Sequence, residues 1–297
     1  VRRGIHRGSL DGVFAGSALM FAAACAPAGP ARPPRPEPAG VSVAERPSAE
    51  RWIVRATSEP RTHEVRLEGT LTSRIDTLER TDTLRAEVRT TWTFAAAPPA
   101  APNVPARISG TITAFRVAFA GSDSLHRPDG LALPVLYAAD WAAPGEQPQL
   151  TLPRAEECGA GAAALATLRE LWISPPDTLA VGREWADSAR YLTCRDSIPI
   201  AVTSLRAFRV LGAEERDGAT FVRIARRSTT HMTGSGTQFG EPLEIEAEGV
   251  GEAVLELALA GGAIRSGAGE SELRMQMRSR RRTQELVQRT RLTIVVP

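Results

Sequence analysis

The sequence predicts a mainly β protein: a curled antiparallel sheet, a half-barrel or open barrel, interrupted by one central helix. Three observations predict it. Apolar and polar residues alternate with period two through most of the chain beyond residue 50. A single stretch, 155–172, shows apolar spacings of three and four instead. The alternating stretches are joined by short links, too short for the crossover helices of a parallel sheet. With 297 residues and 42% hydrophobic content, the chain can bury a substantial core and is not wholly disordered.

The first strand signal is Val65, Leu67 and Leu71 interleaved with Glu64, Arg66 and Glu68. Leu84, Ala86, Val88, Thr90, Trp92 and Phe94 follow in one unbroken phase, with Arg85, Glu87 and Arg89 on the opposite face. Further strands are expected near 107–119, 183–194, 198–211 and 219–232. Three more come from Leu255/Leu257/Leu259, Leu273/Met275/Met277 and Leu292/Ile294/Val296. Gly261-Gly262 and Gly267-Ala268-Gly269 read as turns, and Thr233-Gly234-Ser235-Gly236 as a loop. With one face of most strands charged, the sheet should be solvated on that face. The helix is carried by Leu165, Leu168 and Trp172, with Leu171 beside them and alanine filling the rest. Gly159 and Gly161 weaken its first turn, and Pro175-Pro176 stop it.

Ahead of this body stand two segments of different character. Residues 1–24 carry Arg2, Arg3 and Arg7, then an apolar run of about twelve residues, too short to span a bilayer. The run ends in Ala22-Ala23-Ala24-Cys25. This pattern resembles a bacterial lipoprotein signal peptide, and the resemblance implies Cys25 as the lipid-modified first residue of the mature chain. Ala26, in place of aspartate, implies an outer-membrane destination facing the periplasm; without acylation of Cys25 the protein would be secreted. Residues 26–48 hold seven prolines and no aromatic residue, which favours an extended tether from 25 to 48. The globular domain is therefore expected over 49–297. If Cys25 is acylated, Cys158 and Cys194 remain as a pair, and an oxidising compartment favours joining them as a disulfide.

Charge excludes one class of partner. The chain has no lysine, so all 36 basic residues are arginine, as a GC-rich genome would produce. Its formal net charge of +2 resides in the first 24 residues; the remainder has 33 arginines and 33 carboxylates. A neutral body gives no electrostatic footprint for nucleic acid.

The residues that carry chemistry are scattered. His6, His63, His126 and His231 stand apart from one another and from the cysteines, so no metal ligand set is expected. No Gly-x-Ser-x-Gly elbow and no phosphate-cradling glycine-lysine loop occurs. Glu156 and Glu157 are adjacent on the expected helix and point about 100° apart. Glu244, Glu246 and Glu248 form a row of carboxylates that could hold calcium; opposing that, Arg274, Arg278 and Arg280 form a row on a nearby strand, and opposite charges across neighbouring strands are the usual decoration of a solvated face. Arg278, Arg280, Arg281 and Arg282 are candidates for anion contact with lipid headgroups or wall polymers, or else a hairpin end kept soluble by charge. No cofactor is indicated.

The apolar side chains Trp92, Phe94, Leu168, Trp172, Trp185, Phe208 and Phe221 are candidates to line a ligand space between sheet and helix. The alternative is a closed core. A long curled sheet with a central helix on a lipid-anchored chain resembles the half-barrel of periplasmic lipoprotein carriers, over residues 51–297. That resemblance implies a lipid or other apolar ligand under the helix. The expectation is thus a membrane-anchored, non-enzymatic lipoprotein of the cell envelope that binds such a ligand. The alternative is a structural or assembly protein docking on another envelope component through its charged sheet face.

Overall fold

The computed structural model describes residues 50–56, 59–95, 107–119, 124–140, 147–152, 158–176, 178–195, 198–238, 240–280 and 282–297. The signal segment, Cys25, the tether, Glu156, Glu157 and Arg281 lie outside the described residues.

Five strands precede the helix: β1 (Arg61–Ile75), β2 (Leu78–Ala95), β3 (Arg107–Phe119), β4 (Val135–Asp140) and β5 (Gln149–Thr151). Six follow it: β6 (Glu184–Arg195), β7 (Ile198–Arg216), β8 (Ala219–Gln238), β9 (Glu241–Ala258), β10 (Ala263–Ser279) and β11 (Thr283–Val295). All belong to one antiparallel sheet in the order β5-β4-β3-β2-β1-β11-β10-β9-β8-β7-β6. The chain meanders one way around, returns through the helix, and meanders back until the last strand pairs with the first. Two-residue turns make the tight links, as at Asp217-Gly218, where both residues adopt positive φ (53° and 75°) and match the twist of the flanking strands.

The sheet curls into a nearly closed barrel. Its two edges, β5 and β6, approach each other at the residue before Pro148: the Gln147 amide N–H donates to Ser188 O at 2.9 Å. Barrel curvature removes most of the exposed edge that so long a sheet would otherwise present. Two short pairings cover one end. Arg51–Ile53 pairs with Thr178–Ala180, and Arg55–Ala56 runs parallel to Ala260–Gly261.

The helix α1 (Ala160–Leu168) is shorter than the sequence spacing suggests, and a 3₁₀ turn, Arg169–Leu171, completes it. The backbone becomes extended at Trp172, before the prolines are reached, because the 3₁₀ carbonyls turn toward a side chain of the barrel wall described below. Two glycine-rich stretches that read as punctuation are interior strand. Gly267 and Gly269 lie within β10, where a Cβ would meet Leu255 Cδ2 at 2.7 Å and Glu252 O at 2.5 Å. Gly234 lies within β8 with Ile200 in the space its side chain would need. Neighbouring strands approach closely at these positions, and glycine answers that approach rather than a break in the strand.

Alternation sorts the side chains as expected. Val65, Leu67, Ala86, Val88, Ile108, Ile112, Ile224, Leu255 and Ile294 point inward and are buried. Outside, arginines and glutamates pair across strands, as in Glu248 beside Arg274 and Glu244 beside Arg278. Ionic residues recur along the outer face of β8 to β11, where a membrane-embedded barrel would carry an apolar belt. No helix among the described residues is long and apolar enough to cross a membrane.

Candidate functional site

The barrel interior is apolar at both ends and polar at its waist. One hydrogen-bonded row crosses seven strands as Gly69, Thr290, Ser271, Gly251, Ser228, Arg206 and Asp187, without an apolar side chain among them. On one side of this row lies the larger core, with Trp92, Ile112, Leu168, Trp172 and Leu255; on the other lies a smaller one, with Met232, Met275, Met277 and Leu286.

Arg206 and Asp187 face each other across β7 and β6 at this waist, both almost fully buried. The guanidinium donates from Nε to Asp187 Oδ1 (2.8 Å) and from Nη2 to Oδ2 (2.6 Å). Nη2 also donates to Trp172 O (2.7 Å), and Nη1 to Arg169 O (3.3 Å). The strand pair thereby holds the end of the 3₁₀ turn by its backbone. Gln147, from the opposite edge of the sheet, lays its side-chain amide against the same pair. One buried ion pair therefore joins the plug and both margins of the barrel.

The 3₁₀ turn brings two more charges to the waist. Glu170 forms an ion pair with Arg226 of β8. Arg169 stacks over the Tyr191 ring with its guanidinium carbon 4.1 Å from the ring centre, and no carboxylate among the described residues pairs with it. Burial lowers Arg226 to about 10, and lowers Arg169 as well, since neither is bathed in water that would stabilise its charge. Burial also raises Tyr191 above the ordinary phenol range, keeping it neutral. Beside these groups is a cavity of about 30 Å³, lined by Tyr191, Ser204, Arg226, Ser228, Thr230 and Ser271 among others.

A second polar contact lies in the larger core. His63 is 1% exposed; its Nδ1 accepts from Trp92 Nε1 (3.1 Å), and its Nε2 is 2.5 Å from Ile264 O. Accepting at Nδ1 and donating at Nε2 defines a neutral imidazole, and burial holds its pKa below the ordinary 6.5.

The sequence-derived candidates divide clearly. Trp92 meets Trp172 edge to face at 6.0 Å, and Trp172 meets Tyr137 in the same way at 5.8 Å. Trp185 stacks on Phe208 at 5.0 Å, Leu168 is fully buried, and the half-buried Phe94 packs against the same cluster. The 30 Å³ cavity and a smaller one of about 10 Å³ are lined by other residues. Phe221 stands apart, beneath the guanidinium groups of Arg216 and Arg265. Aromatic rings of this size interlock where helix and sheet meet, and the candidates other than Phe221 belong to the larger core.

The basic cluster resolves as a hairpin end. Arg278 donates to Gln276 (2.7 Å) and lies 3.4 Å from Glu246, Arg280 is exposed, and Arg282 closes the turn through backbone bonds with Ser279. Cys158 and Cys194 form a disulfide with 5.1 Å between Cα atoms, tying the approach to α1 to β6. Among the described residues no three His, Cys, Asp or Glu side chains converge as metal ligands.

Sequence reading missed the waist, although a signal for it existed. Arg206 occupies the apolar phase of β7 between Val202 and Phe208, and Arg226 that of β8 after Val222 and Ile224. A charge in the buried phase of an otherwise regular strand marks an interior ion pair.

No family model and no curated protein matches the chain. Two solved structures align with most of it at low similarity. DynF from the dynemicin biosynthesis pathway of Micromonospora chersina is 11% identical with a TM-score of 0.22, over 89% of this chain and 92% of that one. An outer-membrane channel from Pseudomonas putida F1 is 9% identical with a TM-score of 0.19, over 81% and 97% respectively.

Proposed function

We propose that the protein is an exported, lipid-anchored component of the bacterial cell envelope that works by binding or assembly rather than by catalysis. The disposition of the three cysteines carries the reading. Cys158 and Cys194 are joined, which accords with an oxidising compartment, and this leaves Cys25 as the odd thiol at the end of a signal-like segment. The proline-rich stretch after it suits a spacer between a membrane surface and the barrel. Outer-membrane attachment facing the periplasm follows from the same segment.

Between the two modes of action, docking fits the barrel better than uptake of a large apolar ligand. The space under the helix is filled by Trp92, Leu168 and Trp172, whereas the outer face presents ordered rows such as Glu244, Glu246 and Glu248. An envelope component of complementary charge is the partner this face suits. The test is fractionation with labelled palmitate. The full chain should take up label and sediment with membranes, and Cys25→Ala should be unlabelled and soluble. Membrane attachment that survives Cys25→Ala would overturn the anchor. For the docking face, cross-linking of the anchored protein should give a stoichiometric envelope partner that is lost on reversing Glu244, Glu246 and Glu248 to arginine.

A further inference from the structure

We infer that the outer face of β6 and β7 is an interface between two copies of this chain. Nine large apolar side chains are exposed among the described residues, and four of them, Val181, Leu192, Leu205 and Leu211, lie on these two strands or the link into them. Leu192 and Leu205 are each 52% exposed. Val181 is held beside the end of β7, where the Gly182 amide N–H donates to Val210 O (2.9 Å). A lone exposed leucine needs no explanation, but a group of them on one strand pair marks a surface made to be covered.

Charge separates this face from the rest of the barrel. The alternate residues of β7 that point outward from Pro199 to Leu211 include one charged side chain in seven positions, Arg209. The corresponding positions of β9, from Glu244 to Glu256, hold five glutamates in seven. On β6 the outward charges are Glu184 and Arg190, and Glu184 lies 3.8 Å from Arg209. The uncharged surface continues onto β8, with Thr229 opposite Leu205 and Thr233 opposite Ala201. Two copies related by a twofold axis present the same patch to each other, so a row of like charges repels its own copy and an uncharged face does not. A bilayer is the poorer occupant: among the described residues the outward positions of β6 and β7 carry no Trp, Tyr or Phe to sit at headgroup level. Area is sufficient as well. The outward positions from Pro199 to Leu211 run for about 40 Å across three strands, so each copy offers about 500 Å² and the pair about 1,000 Å², the lower bound of a specific interface. The inference rests neither on the anchor nor on the glutamate row of β9.

The test is sedimentation equilibrium of the full chain carrying Cys25→Ala, so that no acyl group drives association. At about 100 µM, within reach of an interface of this size, the mass should be twice that of one chain. Leu192→Glu combined with Leu205→Glu places carboxylates in the interface from both copies and should raise the dissociation constant about a hundredfold. Both leucines are half exposed, so the variant should keep its sheet, which circular dichroism checks. Leu136→Glu, at an exposed leucine of β4, should leave the dimer as it is. A monomeric chain at that concentration, or a dimer that survives the double change, would overturn the inference. Flotation of such a monomer with phosphatidylglycerol vesicles, lost in the double variant, would overturn it too and assign the face to a membrane.

Discussion

Arg206 grips Asp187 with two nitrogens, at 2.6 and 2.8 Å, in the interior of the barrel, and the same guanidinium holds the carbonyls of Arg169 and Trp172. A pair so buried contributes little when weighed against an apolar pair of equal volume, yet removing one member strands the other charge. Arg206→Met should therefore cost about 3–5 kcal/mol, and the double change Arg206→Met with Asp187→Leu should recover much of it. Denaturant unfolding of the four proteins of that cycle checks this. Equal losses in the single and double variants would show that the contacts to the plug carbonyls, rather than the ion pair, carry the energy.

Stability should fall as the solution is acidified below neutrality, and His63 sets the first step. Its folded pKa is depressed, so the unfolded chain takes up the proton more readily than the native one. The stabilisation is present above the unfolded value of 6.5 and is lost as pH falls from there through the folded pKa. His63→Gln should flatten the stability profile in that window while lowering stability at neutral pH. Glu64, held down chiefly by its hydrogen bond from Arg89, adds a second loss below about 4.5. Urea midpoints from pH 7.5 to 3.5 would expose both steps.

The Cys158–Cys194 disulfide closes a loop of 36 residues that contains the whole of α1. In the chain-entropy model that loop corresponds to about 3–4 kcal/mol. Reduction should lower the unfolding midpoint by roughly 10 °C and increase amide exchange in 160–171 before it does so in β7 to β10. Uniform loosening of the barrel would instead mean that the plug and the sheet unfold as one unit.

Gly110 is occupied by its neighbour. The Tyr137 ring lies where a Cβ of residue 110 would stand, and the Tyr137 hydroxyl bonds Thr90 at 2.9 Å. Gly110→Ala must push the ring off that bond and away from Trp172, at a cost of about 1–3 kcal/mol. If Gly110→Ala unfolds at the wild-type midpoint, the ring is not fixed there. Near-ultraviolet circular dichroism would report its displacement directly.

The alternation of Leu84 to Phe94 was enough to give a long strand with one wet face, and the spacing of Leu165 and Leu168 enough to give a helix, though not its end before Trp172. These features were legible because local period alone determines them. Closure of the sheet was not legible, since it depends on β11 finding β1 and on Gln147 reaching Ser188, contacts that no local pattern encodes. The glycines of β8 and β10 misled for a related reason. A close approach and a turn both call for a missing side chain, and only the neighbouring strands distinguish them. The waist escaped notice because its polar groups came from five separated segments, each carrying one or two members: Gln147, Arg169 with Glu170, Asp187, Arg206 and Arg226.

The pairing of β1 with β11 has a kinetic meaning. Gln284 of β11 bonds Ser73 of β1 across 211 residues of sequence, so the first long strand has only one neighbour until the last has emerged. A chain delivered N-terminus first must wait with that margin open, and contacts of such high separation form slowly. If the chain is exported as proposed above, the delay is an advantage, since the barrel then closes only after passage.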